Sequence, residues 1–293
     1  MQFCWALVLP ECSDFGSGCR AWLHQRIDMQ RQMSACYILT MPLLLTEAIV
    51  LHAFDYLESS RIIRLLTREA GIQSALARGA RKSRARYGSA LDLFAEGTAQ
   101  LFVKPNRELH NFTGFEISRS RSELGEEVGR FTAASTIAEL ALRFAGEEGS
   151  PQLYETVSDV LERICRATPE QTISVGLAGC WRIVSVVGFT PELSSCALCH
   201  TPLRDSDDAM FSAAAGGVVC PGCSKLARGG RRLPATARAA INSWLASEDS
   251  VALSDAEGRS HQRLLREFLD AHMPDDRPLR AFAVWEHERW SAA

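Results

Sequence analysis

Four of the ten cysteines form two C-x2-C pairs, and this arrangement constrains the fold more than any other feature of the 293-residue chain. Cys196 and Cys199 make the first pair, Cys220 and Cys223 make the second, and 20 residues separate them. Each C-x2-C unit places two thiolates on one tight turn, and two such turns facing each other make a closed tetrahedral sulfur site. The spacing therefore predicts one structural zinc ion held by these four residues, within a zinc-ribbon-like insertion at about residues 192–230.

Two other interpretations of the cysteine pairs stay open, a redox site and metal-free thiols. A thioredoxin-like redox site needs a single C-x-x-C at a turn between a strand and a helix of a βαβ unit, and neither pair has that setting. His200 adjoins Cys199, but four thiols already fill a tetrahedral site. Two short apolar runs between the pairs, residues 209–212 and 217–219, predict the strands of a ribbon.

The apolar stretches of the chain predict no membrane span and no export signal. The longest, residues 3–9 and 37–45, are far shorter than the roughly 20 residues that a spanning helix needs. Residues 1–9 also lack the Lys or Arg with which a secretory signal begins. We therefore expect a cytoplasmic protein in a reducing compartment, where paired cysteines indicate metal binding and not disulfides.

The first 40 residues differ from the rest of the sequence. They hold four cysteines and show no sustained period of either 2 or 3.6. We interpret residues 1–40 as a poorly ordered upstream extension of the reading frame, with Met33 and Met41 as alternative starts. A genuine additional arm is the other interpretation.

Residues 46–118 have the pattern of a small all-β unit, in which short apolar runs are separated by turn residues. The predicted strands cover residues 47–54, 61–67, 71–79, 97–103 and 109–117. Five strands in so short a segment predict an OB-type β-barrel for a domain of residues 41–120.

Helical periodicity replaces the strand pattern beyond residue 120. Apolar residues recur at intervals of 3 and 4, and in the first predicted helix they place Val128, Phe131 and Leu142 on one face. Further helices are predicted near residues 151–164, 169–187, 235–246 and 262–272. The predicted architecture is thus an α+β multidomain protein, with a five-stranded barrel followed by a helical domain of residues 121–293 that contains the zinc-ribbon-like insertion.

A basic run lies in the predicted barrel, although the net charge of the whole chain is −3. Between residues 61 and 86, eight basic side chains stand against a single acid, Glu69, and Tyr87 follows as an aromatic neighbour. A basic groove beside an aromatic ring is how OB folds hold single-stranded nucleic acid, so we predict that this run binds DNA. Its members are Arg61, Arg64, Arg68, Arg78, Arg81, Lys82, Arg84 and Arg86.

Two further interpretations concern the charged residues. The basic run could be a solvated loop, as runs of like charge commonly are. A second, smaller basic cluster after the last cysteine could extend the DNA-binding surface, and it consists of Lys225, Arg228, Arg231 and Arg232.

No residue set in the sequence predicts catalysis. The chain has no phosphate-binding glycine loop, no dinucleotide fingerprint, no H-E-x-x-H and no nucleophile elbow. We therefore expect a protein that is not an enzyme. Thiol or hydrolytic chemistry remains as an alternative, which redox-titrating, zinc-free Cys196 and Cys199 would favour.

Three segments of the predicted barrel resemble the amino-terminal signature of a known family. Residues 55–63, DYLESSRII, are followed by LTREAG at residues 66–71 and by ARGARK at residues 77–82. These segments resemble the bacterial recombination mediator RecO family, and the resemblance extends over about residues 43–285. It implies an OB barrel, then a helical domain with a zinc-ribbon-like insertion, and it leaves residues 1–40 without a counterpart.

The resemblance also implies a function in DNA repair. Proteins of this family bind single-stranded and double-stranded DNA and anneal complementary strands. They work with RecR and RecF, contact the C-terminal tail of the single-strand DNA-binding protein, and help RecA to load at coated gaps. A nucleoid-associated DNA-binding protein is therefore expected, and a zinc-ribbon scaffold that binds only protein is the alternative.

Overall fold

The computed structural model describes residues 42–80, 91–146, 148–227, 229–248, 251–273 and 275–287. Within these residues, a five-stranded barrel is followed by a helical bundle into which a small sheet and the four paired cysteines are inserted. The predicted fold class, an OB-type barrel with a helical domain and a zinc-ribbon-like insertion, is confirmed. The predicted extension at residues 1–40 lies outside the described residues.

The barrel is a closed sheet with the strand order β1-β2-β3-β5-β4. Neighbouring strands are antiparallel except for β3 and β5, which pair in parallel. Pairing of β1 with β4, from Leu43 opposite Phe102 to Ile49 opposite Glu96, closes the barrel. The strands are β1 Leu43–Tyr56, β2 Ser60–Thr67, β3 Gly71–Ala77, β4 Glu96–Phe102 and β5 Leu109–Arg119.

The barrel strands alternate between a core face and an outer face, as the period of 2 requires. Val50, Ile63, Leu65 and Leu101 are buried in a core that belongs to the barrel itself. Gly97 stands where β4 crosses β5 so closely that a Cβ atom would lie 2.0 Å from the carbonyl oxygen of Glu116. Only glycine fits this crossing without a shift of the backbone.

Six helices follow among the described residues, and several begin at side-chain caps. Glu127 accepts hydrogen bonds from the first turn of α1, Ser150 caps α2, and Ser254 forms a capping box with Glu257 at α5. The helices are α1 Val128–Phe144, α2 Pro151–Arg166, α3 Pro169–Val186, α4 Ala235–Leu245, α5 Asp255–His272 and α6 Arg280–His287. No helix among the described residues is both long enough and apolar enough to cross a membrane.

The buried face of α1 differs from the predicted one. Val128 and Phe131 are exposed, whereas the face that packs on the other helices consists of smaller residues such as Ala133, Ala141 and Thr136. Small side chains let helices approach closely, and an analysis of periodicity that weights large apolar residues overlooks them. Of the predicted apolar face, Leu142 borders a cleft between the helices and the barrel.

The inserted sheet has the strand order β7-β6-β8. Its strands are β6 Ala209–Ser212, β7 Gly217–Val219 and β8 Arg231–Leu233. The first two coincide with the predicted ribbon strands, so that prediction is confirmed. The third was not predicted, and it leads directly into α4 and thereby attaches the sheet to the bundle.

Candidate nucleic-acid interface and metal centre

The four paired cysteines converge on one point. The Sγ atoms of Cys196, Cys199, Cys220 and Cys223 all lie within 4.8 Å of one another, and those of Cys199 and Cys220 are 3.7 Å apart. A tetrahedral zinc site with Zn–S bonds of about 2.3 Å places its sulfur atoms about 3.8 Å apart. The sulfur positions therefore fit a tetrahedral metal ion, as the sequence spacing predicts.

The turns that position these thiols also set their charge. The amide of Cys220 donates a hydrogen bond of 3.3 Å to Sγ of Cys196. Burial opposes ionisation of Cys196, but this bond and the amides of Cys199 and Leu198 outweigh it and lower the pKa of the thiol to about 6. The neighbouring thiols, Cys199 first, raise the pKa of Cys223 to about 12. Four thiolates this close require a cation, which is the chemistry of a closed zinc site.

The inserted sheet packs on the helices rather than standing apart from them. The ring of Phe211 on β6 contacts the ring of Phe268 on α5 at 5.9 Å between centroids, and Phe268 in turn contacts Trp181 on α3. Arg231 on β8 forms an ion pair with Glu267 on α5. The sheet that carries the cysteine cluster is thus joined to the core of the bundle.

The structure describes four of the eight residues of the predicted basic run, and it places them in different surroundings. Arg61 donates to Asp55, its partner across the β1–β2 hairpin, at 3.0 Å. Arg68 bridges Glu47 of β1 and Glu155 of α2 at 2.7 and 2.5 Å, so it links the barrel to the bundle. Arg78, just after β3, also makes a contact. Arg81, Lys82, Arg84, Arg86 and the neighbouring Tyr87 lie outside the described residues.

Arg64 lies on the outer face of β2, where it borders a cleft between the barrel and the bundle. Burial, with Arg277 nearby, lowers the pKa of its guanidinium from the ordinary value. The cleft has a volume of about 340 Å³ and was not predicted from the sequence. Residues that line it include Leu51, Phe94, Ala138, Leu142, Arg143 and Arg280.

Two of the four members of the second basic cluster form ion pairs with acidic side chains. Arg231 forms an ion pair with Glu267, and Arg232 forms one with Asp208. The other carboxylate oxygen of Asp208 accepts a hydrogen bond of 3.0 Å from the amide of Ala235. Lys225 is exposed at the second cysteine turn, and Arg228 lies outside the described residues. The expectation that this cluster forms a second basic surface therefore lacks support from Arg231 and Arg232.

A buried polar network holds the barrel against the bundle. The side chain of Arg121, just beyond β5, is 1% exposed and donates to the carbonyl oxygen of Phe94 at 2.9 Å and to Ser158 Oγ at 3.1 Å. Glu96 forms an ion pair with Arg121 and accepts a 2.6 Å hydrogen bond from Ser158. Burial raises the pKa of Glu96, but the bonds from Ser158 and Arg121 outweigh it, and the net effect lowers the pKa.

Two family models match the chain, one for each part of the fold. The model described as "Recombination protein O N terminal" matches residues 41–121, which include the barrel. The model described as "Recombination protein O C terminal" matches residues 126–281, which include the helices and the cysteine cluster.

Similar proteins match both parts together. The chain is 36% identical to a DNA repair protein RecO from Gloeobacter violaceus over 234 residues, which cover 78% of this chain and 87% of that protein. It is 31% identical to a DNA repair protein RecO from Anaeromyxobacter sp. strain K over 231 residues, which cover 77% of this chain and 89% of that protein.

Proposed function

Because this chain belongs to the RecO family of DNA repair proteins, we propose that it is a DNA-binding recombination mediator. In this role it binds single-stranded and double-stranded DNA, anneals complementary strands and, with RecR, helps RecA to load on gaps coated by the single-strand binding protein in the RecF pathway. The observation on which the proposal mainly rests is the pairing of a closed OB-type barrel with a basic run that starts at Arg61 in β2 and continues in the sequence beyond the end of β3.

The position of that run supports contact with a DNA backbone. Strand β3 ends at Ala77, which pairs with Arg61 of β2, beside the β1–β2 hairpin where Tyr56 pairs with Ser60. The chain continues from there into Arg78, Arg81, Lys82, Arg84 and Arg86. OB folds bind oligonucleotides on strands 2 and 3 and on the loop between strands 1 and 2, so Arg78 follows β3 at the side of the barrel where a nucleic acid is expected.

A salt titration on single-stranded DNA tests this proposal. If about four basic residues contact phosphates, log K should fall with log salt at a slope of roughly −3, from about −0.7 for each contact. Replacing Arg81, Lys82 and Arg84 together by Ala should reduce both affinity and slope. The control, Arg259→Ala with Arg263→Ala on exposed positions of α5, should leave the slope unchanged. A slope near zero in the unmodified protein would contradict the DNA-binding role.

The same titration decides between the proposal and the scaffold alternative. Leu198 and Leu226 are exposed on the two cysteine turns, which favours a contact with another protein there. A zinc-ribbon scaffold would retain such a contact and show no DNA affinity.

We assign one structural zinc ion to Cys196, Cys199, Cys220 and Cys223. Four thiol ligands leave no position for water or substrate, so the ion would stabilise the fold and take no part in a reaction. Metal analysis of protein purified without chelators should give one zinc per chain. Less than half an equivalent, in protein that is folded, would overturn this assignment.

The proposed activity needs no catalytic turnover and no nucleotide. A cationic surface lowers the repulsion between two DNA backbones and so raises the rate at which complementary strands meet. We expect faster annealing without ATP in a fluorescence assay, on bare strands and on strands coated by the single-strand binding protein. Annealing no faster than the spontaneous rate on bare strands would contradict the mediator role.

The cleft between barrel and bundle is our candidate site for the acidic, apolar-ended tail of the single-strand binding protein. Leu93 and Leu142 are partly exposed in the lining, with the buried Leu51 and Phe94 behind them, and offer an apolar surface for the end of such a tail. Arg64 and Arg280 at the border suit carboxylates. If the tail binds there, annealing on coated strands should fall when the tail is removed. Arg280→Ala should give the same loss, with annealing on bare strands unchanged. Full annealing on strands coated by the tailless protein would remove this partner from the proposal.

A further inference from the structure

Three aromatic side chains occupy alternate positions at the end of β1, namely His52, Phe54 and Tyr56, and we call them the aromatic stripe. Alternate residues of a strand lie on one face of the sheet, about 6.7 Å apart. The rings of His52 and Phe54 are in contact at 5.6 Å between centroids. Two rings of the stripe are thus in contact, and Tyr56 continues the same face of the strand.

The stripe lies on the outside of the barrel. The residue between His52 and Phe54, Ala53, packs against the barrel core together with Ile63, its partner on β2. Because successive side chains point to opposite faces, the rings point away from that core. Phe54 is 42% exposed and Tyr56 is 41% exposed, which is unusual for neighbouring large rings on one strand.

Cross-strand packing accounts for only part of this arrangement. Phe54 lies opposite Ile62, which can stabilise the sheet as such pairs do. Tyr56 lies opposite Ser60, which offers a ring little apolar surface, and Leu57 at the hairpin tip is 75% exposed. The outer end of the stripe thus presents ring surface to solvent.

A basic side chain follows or faces each end of the stripe. His52 lies opposite Arg64, beside the cleft. Tyr56 lies at the same end of the barrel as Ala77, which the exposed Arg78 of the basic run follows. A single strand of nucleic acid needs both features in one place, positive charge for its phosphates and flat rings for its bases.

From this juxtaposition we infer that Phe54 and Tyr56, with His52 at the inner end, form a base-stacking platform for single-stranded DNA. The inference rests on the proposed function, and it names the part of the site that contacts bases rather than phosphates. Stacking accepts any base because every base has a π-face, so the platform adds affinity for unpaired strands without reading sequence. Bases in a duplex are already stacked on each other, so duplex DNA gains nothing from the platform.

The test compares single-stranded affinity in matched variants of the full chain. Each loss of a stacked ring should reduce affinity about fivefold or more, so Phe54→Ala with Tyr56→Ala should lose about 25-fold on a single strand. The affinity of the double variant for duplex DNA should stay within twofold of that of the unmodified protein. Its salt slope should be unchanged within experimental error, because no phosphate contact is removed. Tyr56→Phe should retain affinity and Tyr56→Leu should lose it, since only the former keeps an aromatic face.

Two controls separate stacking from a change in fold. Phe102→Ala removes a ring of similar exposure, 37%, from the outer face of β4 opposite Leu43, and it should leave DNA affinity unchanged. An oligonucleotide with abasic positions should bind the unmodified protein more weakly but bind the double alanine variant with no further loss. Thermal unfolding should be the same for the double variant and for Phe102→Ala.

The outcomes distinguish this inference from the function on which it rests. Absence of salt-dependent DNA binding by the unmodified protein overturns both. Normal binding by the unmodified protein with an unchanged affinity in Phe54→Ala/Tyr56→Ala overturns the stacking platform alone, and the stripe would then be a surface for a protein partner. A loss that is equal on duplex and single strands also overturns it.

Discussion

The barrel and the inserted ribbon sheet are both small β structures, but they are stabilised in different ways. The barrel encloses its own core, in which Val50, Ile63, Leu65 and Leu101 are buried together. The buried residues of the ribbon, Phe211, Val218 and Leu233, belong to the core of the helical bundle. A short three-stranded sheet cannot bury enough apolar surface to be stable alone, so the ribbon depends on the helices and, by our zinc assignment, on a bound metal ion.

Loss of the metal should produce the largest difference between the two regions. Cys220→Ser removes one of four ligands, and because structural zinc binding supplies folding free energy, the ribbon should unfold while the barrel stays folded. Hydrogen exchange should show lost protection in β6–β8 and α4, and retained protection in β1–β5. Cys165→Ser on α2, which removes a half-buried thiol outside the cluster, is the matched control. Equal loss of protection in the barrel would mean that the barrel depends on the metal as much as the ribbon does.

The converse change addresses the barrel core. Leu65→Ala removes a fully buried side chain of β2, and the cavity should lower the free energy of unfolding of the barrel by about 2–5 kcal/mol. Zinc content should stay at one per chain, as metal analysis would show. The control, Leu226→Ala at an exposed position of the second cysteine turn, should change stability by less than about 0.5 kcal/mol. Zinc loss in Leu65→Ala would mean that the two regions are not independent.

The smallest expected effect concerns the contact between barrel and bundle and depends on pH. Because the fold lowers the pKa of Glu96, the carboxylate stabilises the folded state above its ordinary pKa of 4.5, and this contribution is lost as the pH falls through the folded value. Glu96→Gln should lower the free energy of unfolding at pH 7 by about 1–3 kcal/mol. The difference from the unmodified protein should shrink in urea titrations below about pH 4. The control is Glu123→Gln at an exposed position, whose free energy of unfolding should not approach that of the unmodified protein as the pH falls. If the difference in free energy of unfolding for Glu96→Gln did not change with pH, the ionised Glu96 carboxylate would not be what stabilises the contact with Arg121.

Local patterns in the sequence predict much of both β regions. Period-2 alternation and turn residues give the five barrel strands to within a few residues, and the cysteine spacing gives the metal cluster and β6 and β7. Strand β8 was missed because Arg231 and Arg232 were interpreted as a basic surface. Their acidic partners, Glu267 and Asp208, lie 36 and 24 residues away in the chain.

The sequence does not reveal contacts between distant elements. Arg121 bonds Phe94 and Ser158, which are 27 and 37 residues away, and no local pattern marks such a network. The buried face of α1 was missed for a related reason, since residues such as Ala133 show their role only once a partner helix is known. The aromatic stripe, by contrast, could have been found, because His52, Phe54 and Tyr56 follow the period of a strand whose inward positions are apolar.

Closure of the barrel has a consequence for how partners can recognise it. An open sheet has edge strands whose free amide and carbonyl groups let another chain add a strand of its own. Among the described residues, pairing of β1 with β4 gives every strand of this barrel two paired neighbours. We therefore expect a partner protein or a DNA strand to read the barrel mainly through side chains on its outer faces and rims, where recognition depends on individual residues more than on main-chain pairing.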